Sequence, residues 1–560
     1  MKYPLLLLII FLLSIPSSSQ IPTDYFKVPL KIPLVLSGTF GELRSNHFHS
    51  GLDIKTQGKQ GVNIHATAKG FVSRIKISHY GYGKAIYIQH PNGYTTVYAH
   101  LKKFAPKIET YVKAKQYALE KYTIELFPKK EELIITAEEI IALSGNSGGS
   151  GGPHLHFEIR DAQQRPMNPM LFGIEIKDTR KPLVNTAWLY PLDDQSQING
   201  SYKPYRLKMQ TLSDGSLKTI SVDAFGQIGI AVSTIDQQNA ANNKNGYYNI
   251  ESRVNGNKNF EIEMKRFTFS ETRYINRMID YCYFKENRSR ITKLFVEPNN
   301  PLSIYKNGNG YITVEDSLSY NCIVNIKDIK GNTKTLNIPI TGKNTPRTTA
   351  LVTQGYEYFA RPDAPFEFSN SFVNVSIPKG GLYDPTPLNI KDLPNKGIKV
   401  HKNTTPLHKY MTISFSLQNI QNPKYSYIGR FYETSPNKPS FVGAKNNGTQ
   451  ITARTREFGN FGVFSDLVKP KVKALNFSNN KWVSKNKTLR VWIADNETGI
   501  KKFKTTINGK FALMEYDYKK NLLVYDFEDN IHTSGKNDLK VYVEDNVGNS
   551  TIFEATFFRK

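Results

Sequence analysis

Cysteine is almost absent, with only Cys282 and Cys322 among 560 residues. Two thiols cannot build a four-thiolate metal site, and they can form at most one disulfide. One bridge and two buried free thiols are both compatible with the chain, because free cysteine packs like a small hydrophobe. Long apolar runs are missing beyond the first twenty residues, and the run from Leu5 to Leu13 is short of the roughly 20 residues that cross a bilayer. No H-E-x-x-H occurs, which removes the glutamate base of the helical zinc proteases. No five basic residues stand in a row, although the formal net charge is +26. Spread positive charge suits an acidic polymer or a lipid surface. It also arises from a Lys- and Asn-rich composition alone.

The start of the chain reads MKYPLLLLIIFLLSIPSSSQ. One lysine, an apolar centre and a small polar exit give residues 1–20 the form of a secretory signal peptide, cleaved near Ser19 or Gln20. No cysteine at the exit offers a lipid anchor. An exported chain is expected, periplasmic, associated with the cell envelope or secreted. It has no transmembrane segment, and no nucleic acid is expected as a partner. The length predicts about three to five domains.

Strand signals dominate the remainder of the chain, so the expected fold class is mainly β. The runs AIYIQH (85–90) and YTTVYAHL (94–101) flank Pro91-Asn92-Gly93, a strong hairpin signal. VNIHATAKGFVSRIKIS (62–78) reads as two short strands broken at Lys69-Gly70. One helix is predicted from Pro106 to Tyr122, with Ile108, Tyr111, Val112, Ala118 and Leu119 as its apolar stripe. Beyond residue 175 the alternating runs suggest β-sandwiches. A weak echo links VNIKDIKGNTKTLNI (324–338) to VYVEDNVGNSTIFEA (541–555), and Gly229-Ile230 and Gly499-Ile500 each open a run reaching an Asn-Gly pair. The expected division is 1–20, 21–175, 176–343, 344–467 and 468–560. The second and fourth of the mature units read as immunoglobulin-like sandwiches, and 344–467 as a β unit of no assigned kind.

Three segments before residue 162 carry the chemistry. HFHSGLDI (47–54) holds His49 and Asp53 four apart, an even separation that places both on one face of an extended strand. VYAHL ends on His100 and Leu101. GGSGGPHLHFEI (148–159) puts His154 and His156 on one face behind a loop of glycine and serine, where backbone can approach closely. Imidazoles and a carboxylate with an open fourth position are the ligand set of a catalytic zinc. His47 shares a face with His49, Glu158 shares one with His156 and could hold that ring, and Arg44 and Asn46 precede the site. His90, at the hairpin turn, reads as structural. His65 and His79 have no motif around them.

From about Ser37 to Asp161 the chain resembles the M23 family of zinc metallopeptidases, the lysostaphin and LytM type. SGTFGELR, HSGLD, YAHL and GNSGGSGGPHLHFEI stand in that family's order. The resemblance implies a small, mostly antiparallel β domain at 21–175 that cleaves peptidoglycan peptides. It implies one Zn2+ per chain on His49, Asp53 and His156, with His100 and His154 as unligated catalytic histidines. A neutral imidazole can move protons at ordinary pH, and which histidine takes which role is open. The span 102–141 is longer than compact members need, and reads as a lid, a specificity wall or a cap. The expected activity is an exported zinc endopeptidase acting on peptidoglycan cross-links, of the D-Ala–diaminopimelate type by analogy. The alternatives are a non-catalytic scaffold that activates other wall hydrolases, and an adhesin whose C-terminal β domains bind a polymer or a protein partner.

Overall fold

The computed structural model describes residues 21–346 and 357–560. The signal-like segment 1–20 lies outside the described residues. The chain is mainly β, with the site-bearing domain at its N-terminal end and β-sheet domains after it.

The N-terminal domain is built on a nine-stranded sheet. Its main elements are β1 (Leu36–Gly38), β2 (Leu52–Lys55), β3 (Gly70–Ile77), β4 (Lys84–Gln89), β5 (Thr95–Ala99), α1 (Pro106–Leu119), β6 (Ile124–Leu126) and β7 (His154–Arg160). Strand order is β1-β2-β7-β5-β4-β3-β6, every pair antiparallel. β7 is central because its alternation is sharp. Leu155, Phe157 and Ile159 are 0% exposed and face the core, while His154, His156, Glu158 and Arg160 alternate onto the other face. The expected hairpin forms, with Gln89 opposite Thr95 and Gly93 in the left-handed region at φ 86°.

The helix differs from expectation at its C-terminal end. It stops at Leu119 because Glu120 takes a left-handed conformation (φ 48°) and closes the last turn with its own N–H. Its buried face is Ile108, Val112 and Gln116, an i, i+4, i+8 stripe. Leu119, assigned to the apolar stripe by the sequence, is 54% exposed. Tyr122 lies past the end and stacks on His79.

Strands from Leu183–Pro191 to Thr333–Gly342 form one thirteen-stranded assembly. It is not purely antiparallel, since Thr333–Gly342 pairs in parallel with Leu217–Thr219 and with Val222–Ile235. No bridge joins the two cysteines. Cys282 is exposed on the helix Tyr281–Asn287, and Cys322 is buried in the strand Ser319–Lys327. The expectation of two buried thiols therefore fails at Cys282. Residues 357–466 form two five-stranded sheets around a core that includes Val375, Ile413, Ile398 and Phe461. Residues after 468 form a four-stranded and a five-stranded sheet around Leu489, Val541 and Phe557.

The first two units share one core. A single cluster of buried side chains runs from Phe26 to Ile340. Within it Phe267 packs against Phe40 (centroids 5.0 Å, stacked) and Phe48 (5.4 Å), the first ahead of the first histidine segment and the second inside it, next to His49. Burying three rings against one another links the stability of both units. Phe267→Ala is expected to cost about 3–5 kcal/mol and to lower the melting of both units together, read by denaturant unfolding with a probe in each. Separate transitions, or a cost below about 1 kcal/mol, would contradict a shared core.

Candidate metal centre and histidine pair

β2 and β7 are neighbours in register, with His156 opposite Asp53. His49 lies just before β2, held by exchanged backbone hydrogen bonds with Glu42 and Gly41. Three acceptor atoms converge here. His49 Nε2 lies 3.0 Å from Asp53 Oδ1 and 3.0 Å from His156 Nδ1, and His156 Nδ1 lies 2.9 Å from Asp53 Oδ1. These are the three residues that the M23 resemblance implies as metal ligands, and their atoms lie close enough together to hold one ion.

The outer nitrogens of both rings are spoken for. His49 Nδ1–H donates to the Thr39 carbonyl (2.7 Å), and His156 Nε2–H donates to Glu158 Oε1 (2.8 Å). Each ring therefore turns its second nitrogen inward, beside the carboxylate. Three acceptors cannot meet at 3 Å without something positive between them. In the metal-free chain that is a proton on His156. Burial opposes it, but hydrogen bonds and charge from Asp53 and Glu158 win, and the imidazole is raised to about 9. Asp53 is held well below the carboxylate range, its burial outweighed by the imidazoles of His49, His154 and His156. A tetrahedral zinc with ligands at about 2.05 Å needs edges of about 3.3 Å, so the triangle fits after opening by a few tenths of an ångström.

Glu158 is 0% exposed and anchors the far side of His156. Burial would raise its carboxyl, but Arg160 and His156 outweigh that and push it far down. It accepts from Arg160 Nε (2.6 Å) and Ser50 Oγ (2.7 Å), and also from the Tyr82 hydroxyl. The Tyr82 ring stacks on His156 at 5.1 Å. Glu158 thus holds the His156 ring as the alternation suggested. Tyr82 and Ser50 were not legible as site residues. Arg160 was not singled out either, although it is the next same-face position after Glu158 and alternation could have pointed to it. Arg44 donates to Asp53 Oδ2 (3.0 Å) and Glu42 Oε2 (3.1 Å). Gly38 makes room for this, since a Cβ there would sit 2.4 Å from Arg44 Nη2 and 2.8 Å from Asp53 Oδ2.

The structure brings His100 and His154 to the same place. Their ring centroids are 4.8 Å apart, and His100 is 5.9 Å from His156. His100 follows β5 in a left-handed conformation (φ 59°), costly for a non-glycine residue. His100 Nδ1–H donates to the Ser147 carbonyl (2.9 Å), and His154 Nδ1–H to the Gly152 carbonyl (2.8 Å). The glycine-rich loop thus fixes both rings through its backbone and leaves each Nε2 as an acceptor. His154 Nε2 lies 3.3 Å from Asp53 Oδ1. Burial, reinforced by the neighbouring His156 and His154, lowers His100 to about 3, so it is neutral at working pH.

The remaining histidines stand apart from the centre. His90 is buried, bonded to the Lys69 carbonyl (2.9 Å) and Thr96 Oγ1 (2.8 Å), the structural role expected of it. His47 is exposed and bonded to the Ser45 carbonyl. His65 bonds the Glu138 carbonyl. Asn46 bonds Asn276 of the next unit rather than lining the centre.

The insertion 102–141 and the glycine-rich loop are where the last domain rests. Asp529 accepts from Tyr117 (2.7 Å) and pairs with Lys113, Glu528 pairs with Lys103 (3.1 Å), and Lys504 with Glu120 (2.6 Å). Lys519 Nζ donates to the carbonyls of Asn146 and Ser150, the latter at 3.0 Å. Gly148 (φ 70°) packs the loop so closely on Gly83 that a Cβ would sit 2.3 Å from its nitrogen.

A two-histidine, one-carboxylate cluster beside a second histidine pair on one face of a β-sheet has the residue set of a metallohydrolase-type site. Residues 47–118 match the family model for Peptidase family M23, and residues 357–466 that for the Zu5-like domain. The chain carries an M23-family peptidase domain, followed by β domains that include a Zu5-like one. It is 32% identical over 128 residues to the DD-carboxypeptidase/endopeptidase Mpg of Neisseria meningitidis serogroup B, covering 23% of each protein. It is 34% identical over 122 residues to an uncharacterized metalloprotease of Haemophilus influenzae, covering 22% of this chain and 20% of the relative. The matched part is thus about a quarter of those relatives' length. Among solved structures, the catalytic domain of the M23 protein EnpA from Enterococcus faecalis aligns with a TM-score of 0.19 at 23% identity, over 25% of this chain and 92% of that one. The Staphylococcus simulans lysostaphin catalytic domain aligns with a TM-score of 0.18 at 22% identity, over 24% and 90%.

Two outcomes are expected from this geometry. A metal ion must displace the His156 proton, so metal affinity should rise about tenfold per pH unit up to about pH 9. With its imidazole raised from 6.5 to about 9 on folding, His156 stabilises the metal-free fold fully below about pH 6.5. That contribution is lost as pH rises through about 9. Melting of the metal-free protein should therefore fall across that window and that of the metal-loaded protein should not; equal slopes would refute the assignment. Separately, Lys519→Ala should speed hydrogen exchange in residues 146–152 with the rest of the peptidase domain unchanged, and an unaltered loop would show that the contact does not restrain it.

Proposed function

We propose that this chain is an exported zinc endopeptidase that hydrolyses peptide cross-links of bacterial peptidoglycan, with D-Ala–diaminopimelate as the favoured bond class. The observation that carries the reading is the convergence of His49 Nε2, Asp53 Oδ1 and His156 Nδ1 within 3.0 Å of one another, beside a histidine pair held by backbone carbonyls. In this reading His49, Asp53 and His156 hold one Zn2+. The bound ion supplies Lewis-acid activation of water and of the scissile carbonyl.

The chain's own groups do the rest. His100 and His154 each offer an Nε2 acceptor, because Ser147 and Gly152 occupy their Nδ1–H groups. One takes a proton from the attacking water as its oxygen bonds the carbonyl carbon, and returns it to the amine nitrogen as the C–N bond breaks. The other, once protonated, donates to the oxyanion. The left-handed backbone of His100 and the glycine-loop carbonyls hold the two rings in place before substrate arrives. Glu158 and Thr39 fix the ligand rings, so reorganisation is small. The relative from Neisseria named for carboxypeptidase and endopeptidase activity supports the substrate class. The broadly basic surface suits an anionic polymer.

The test is digestion of purified cross-linked peptidoglycan by the zinc-loaded chain, with products resolved by mass spectrometry. Cross-linked dimers should become monomers, and a chelator should abolish the conversion. His154→Ala and His100→Ala should each cut the rate by about 10²–10⁴-fold while zinc is retained. Zinc-loaded, folded protein that leaves dimers intact would favour the scaffold reading, in which the domain recruits or activates other hydrolases.

A further inference from the structure

Away from the peptidase centre, three aspartates gather where the linker leaves the peptidase domain. Asp178 lies in that linker, Asp236 directly follows the strand Val222–Ile235, and Asp328 opens the turn between Ser319–Lys327 and Thr333–Gly342. One carboxylate oxygen from each lies within 4.8 Å of the others. Asp236 and Asp328 are 3% and 4% exposed.

The same scaffold occurs twice in the chain, which allows a comparison. Asp178-Thr-Arg-Lys181-Pro182 and Asp466-Leu-Val-Lys469-Pro470 are both D-x-x-K-P linkers. Asp328 and Asp545 both begin D-x-x-G-N turns, and in each the closing asparagine (Asn332, Asn549) donates 2.7 Å to the turn aspartate and also to the linker aspartate's carbonyl. Asp236 and Asp495 both follow the strand that pairs with the linker strand. In the second copy the middle carboxylate is satisfied. Asp495 Oδ1 accepts from the backbone of Glu497, Thr498 and Gly499, and Asp466 Oδ2 accepts from Thr498 Oγ1.

In the first copy Asp328 Oδ1 accepts from the backbone of Lys330 and Asn332 and Asp178 Oδ1 from that of Arg180, but the middle carboxylate keeps an open oxygen. Asp236 Oδ1 is buried with no hydrogen-bond partner. Asn245 exchanges two backbone hydrogen bonds with Asp236, so its side chain projects from the same face. That side chain is 2% exposed, and both its Oδ1 and its Nδ2 lack partners. An orphaned buried polar atom costs about 1–3 kcal/mol, and here three accumulate beside three carboxylates. Arg180 caps Asp178 Oδ1 with its backbone N–H (3.1 Å), but its guanidinium is turned away and donates to Gln237 Oε1 (2.6 Å) and the Ala241 carbonyl (3.4 Å).

We propose that Asp178, Asp236, Asp328 and the Asn245 carboxamide oxygen form a binding site for a hard divalent cation, Ca2+, that fixes the linker between the peptidase domain and the β domain. All donors are oxygens, three are anionic, and none is an imidazole or thiol, the pattern that selects hard cations over zinc. The ion would satisfy the Asp236 and Asn245 oxygens at once and tie together linker, strand end and turn. The second triad, already closed by hydrogen bonds, is not a site. Without a cation the cluster must hold a proton instead, since burial and the neighbouring Asp178 and Asp328 raise Asp236 to about 7.

The test is calorimetric titration of Ca2+ into the zinc-loaded full chain in calcium-free buffer, with thermal melting at each step. One Ca2+ per chain is expected, with a dissociation constant no weaker than about 10⁻³ M, the range of extracellular modules, and a rise in melting temperature. Asp236→Asn should lose the binding and melt higher than the wild type without calcium, because the cluster no longer has to take up a proton or hold a third negative charge. Asn245→Asp should bind more tightly and melt lower without calcium. Asp495→Asn should keep both binding and shift. No saturable Ca2+ uptake by the wild type, uptake retained in Asp236→Asn, or uptake lost in Asp495→Asn would each overturn the site and leave a shared proton as the balancing charge.

Discussion

The peptidase end of the molecule depends on one carboxylate oxygen. Asp53 Oδ1 is within 3.3 Å of nitrogens from His49, His154 and His156, drawn from two segments about a hundred residues apart in sequence. A buried anion surrounded by imidazoles requires a positive charge at its centre, or the arrangement would be repulsive and undersatisfied. This requirement ties protonation, metal uptake and folding together: the same space is filled by the His156 proton or by an ion. The outer hydrogen bonds to Thr39 and Glu158 are then required, because each ring must turn one specific nitrogen inward.

The sheet exists to bring these groups into register. His156 faces Asp53 across one pairing and Ala99 across the other, so His100, the residue after β5, reaches the centre from the opposite side. A slip of one residue in β7 would send both histidines into the core and Leu155, Phe157 and Ile159 to the opposite face. Those three apolar side chains, wholly buried, hold the register. Packing on one face of the strand thereby sets the chemistry on the other.

How legible this was depended on range. The hairpin at Gly93 and the partnership of Glu158 with His156 were readable from a local turn signal and from period-two alternation. His49, Asp53, His100, His154 and His156 were singled out as a set by the resemblance to the M23 family, with alternation placing only His49 with Asp53 and His154 with His156 on shared faces. The left-handed turn at Glu120 that strands Leu119 in solvent was not readable, since no glycine or asparagine marks it. Tyr82 reaches Glu158 from a loop with no motif. Arg44 reaches Asp53 only because Gly38, on a neighbouring strand, leaves space. The Phe40–Phe267–Phe48 stack joins residues more than two hundred positions apart, and nothing local in either segment announces it. The Cys282–Cys322 question likewise turned on tertiary placement: one thiol lies on an exposed helix and the other inside a sheet.

The β domains reach the peptidase domain through side-chain packing and through loop backbone. Phe267 braces Phe40 and Phe48, the latter adjacent to His49, and Lys519 holds carbonyls of the loop whose other carbonyls orient His100 and His154. Exposed ion pairs such as Lys103–Glu528 contribute little individually, about 0–1 kcal/mol. Asp529 is different, because its side chain is only 2% exposed while it accepts from both Lys113 and Tyr117. Removing either partner would leave a buried charge short of a donor, so this contact specifies where the last domain sits. Since the insertion 102–141 supplies Lys103, Lys113, Tyr117 and Glu120, its extra length is accounted for as a docking face. The loop that positions His100 and His154 is consequently restrained from two sides, by Gly83 packing within its own domain and by Lys519 from the last, and any partner that draws the last domain away changes only the second restraint.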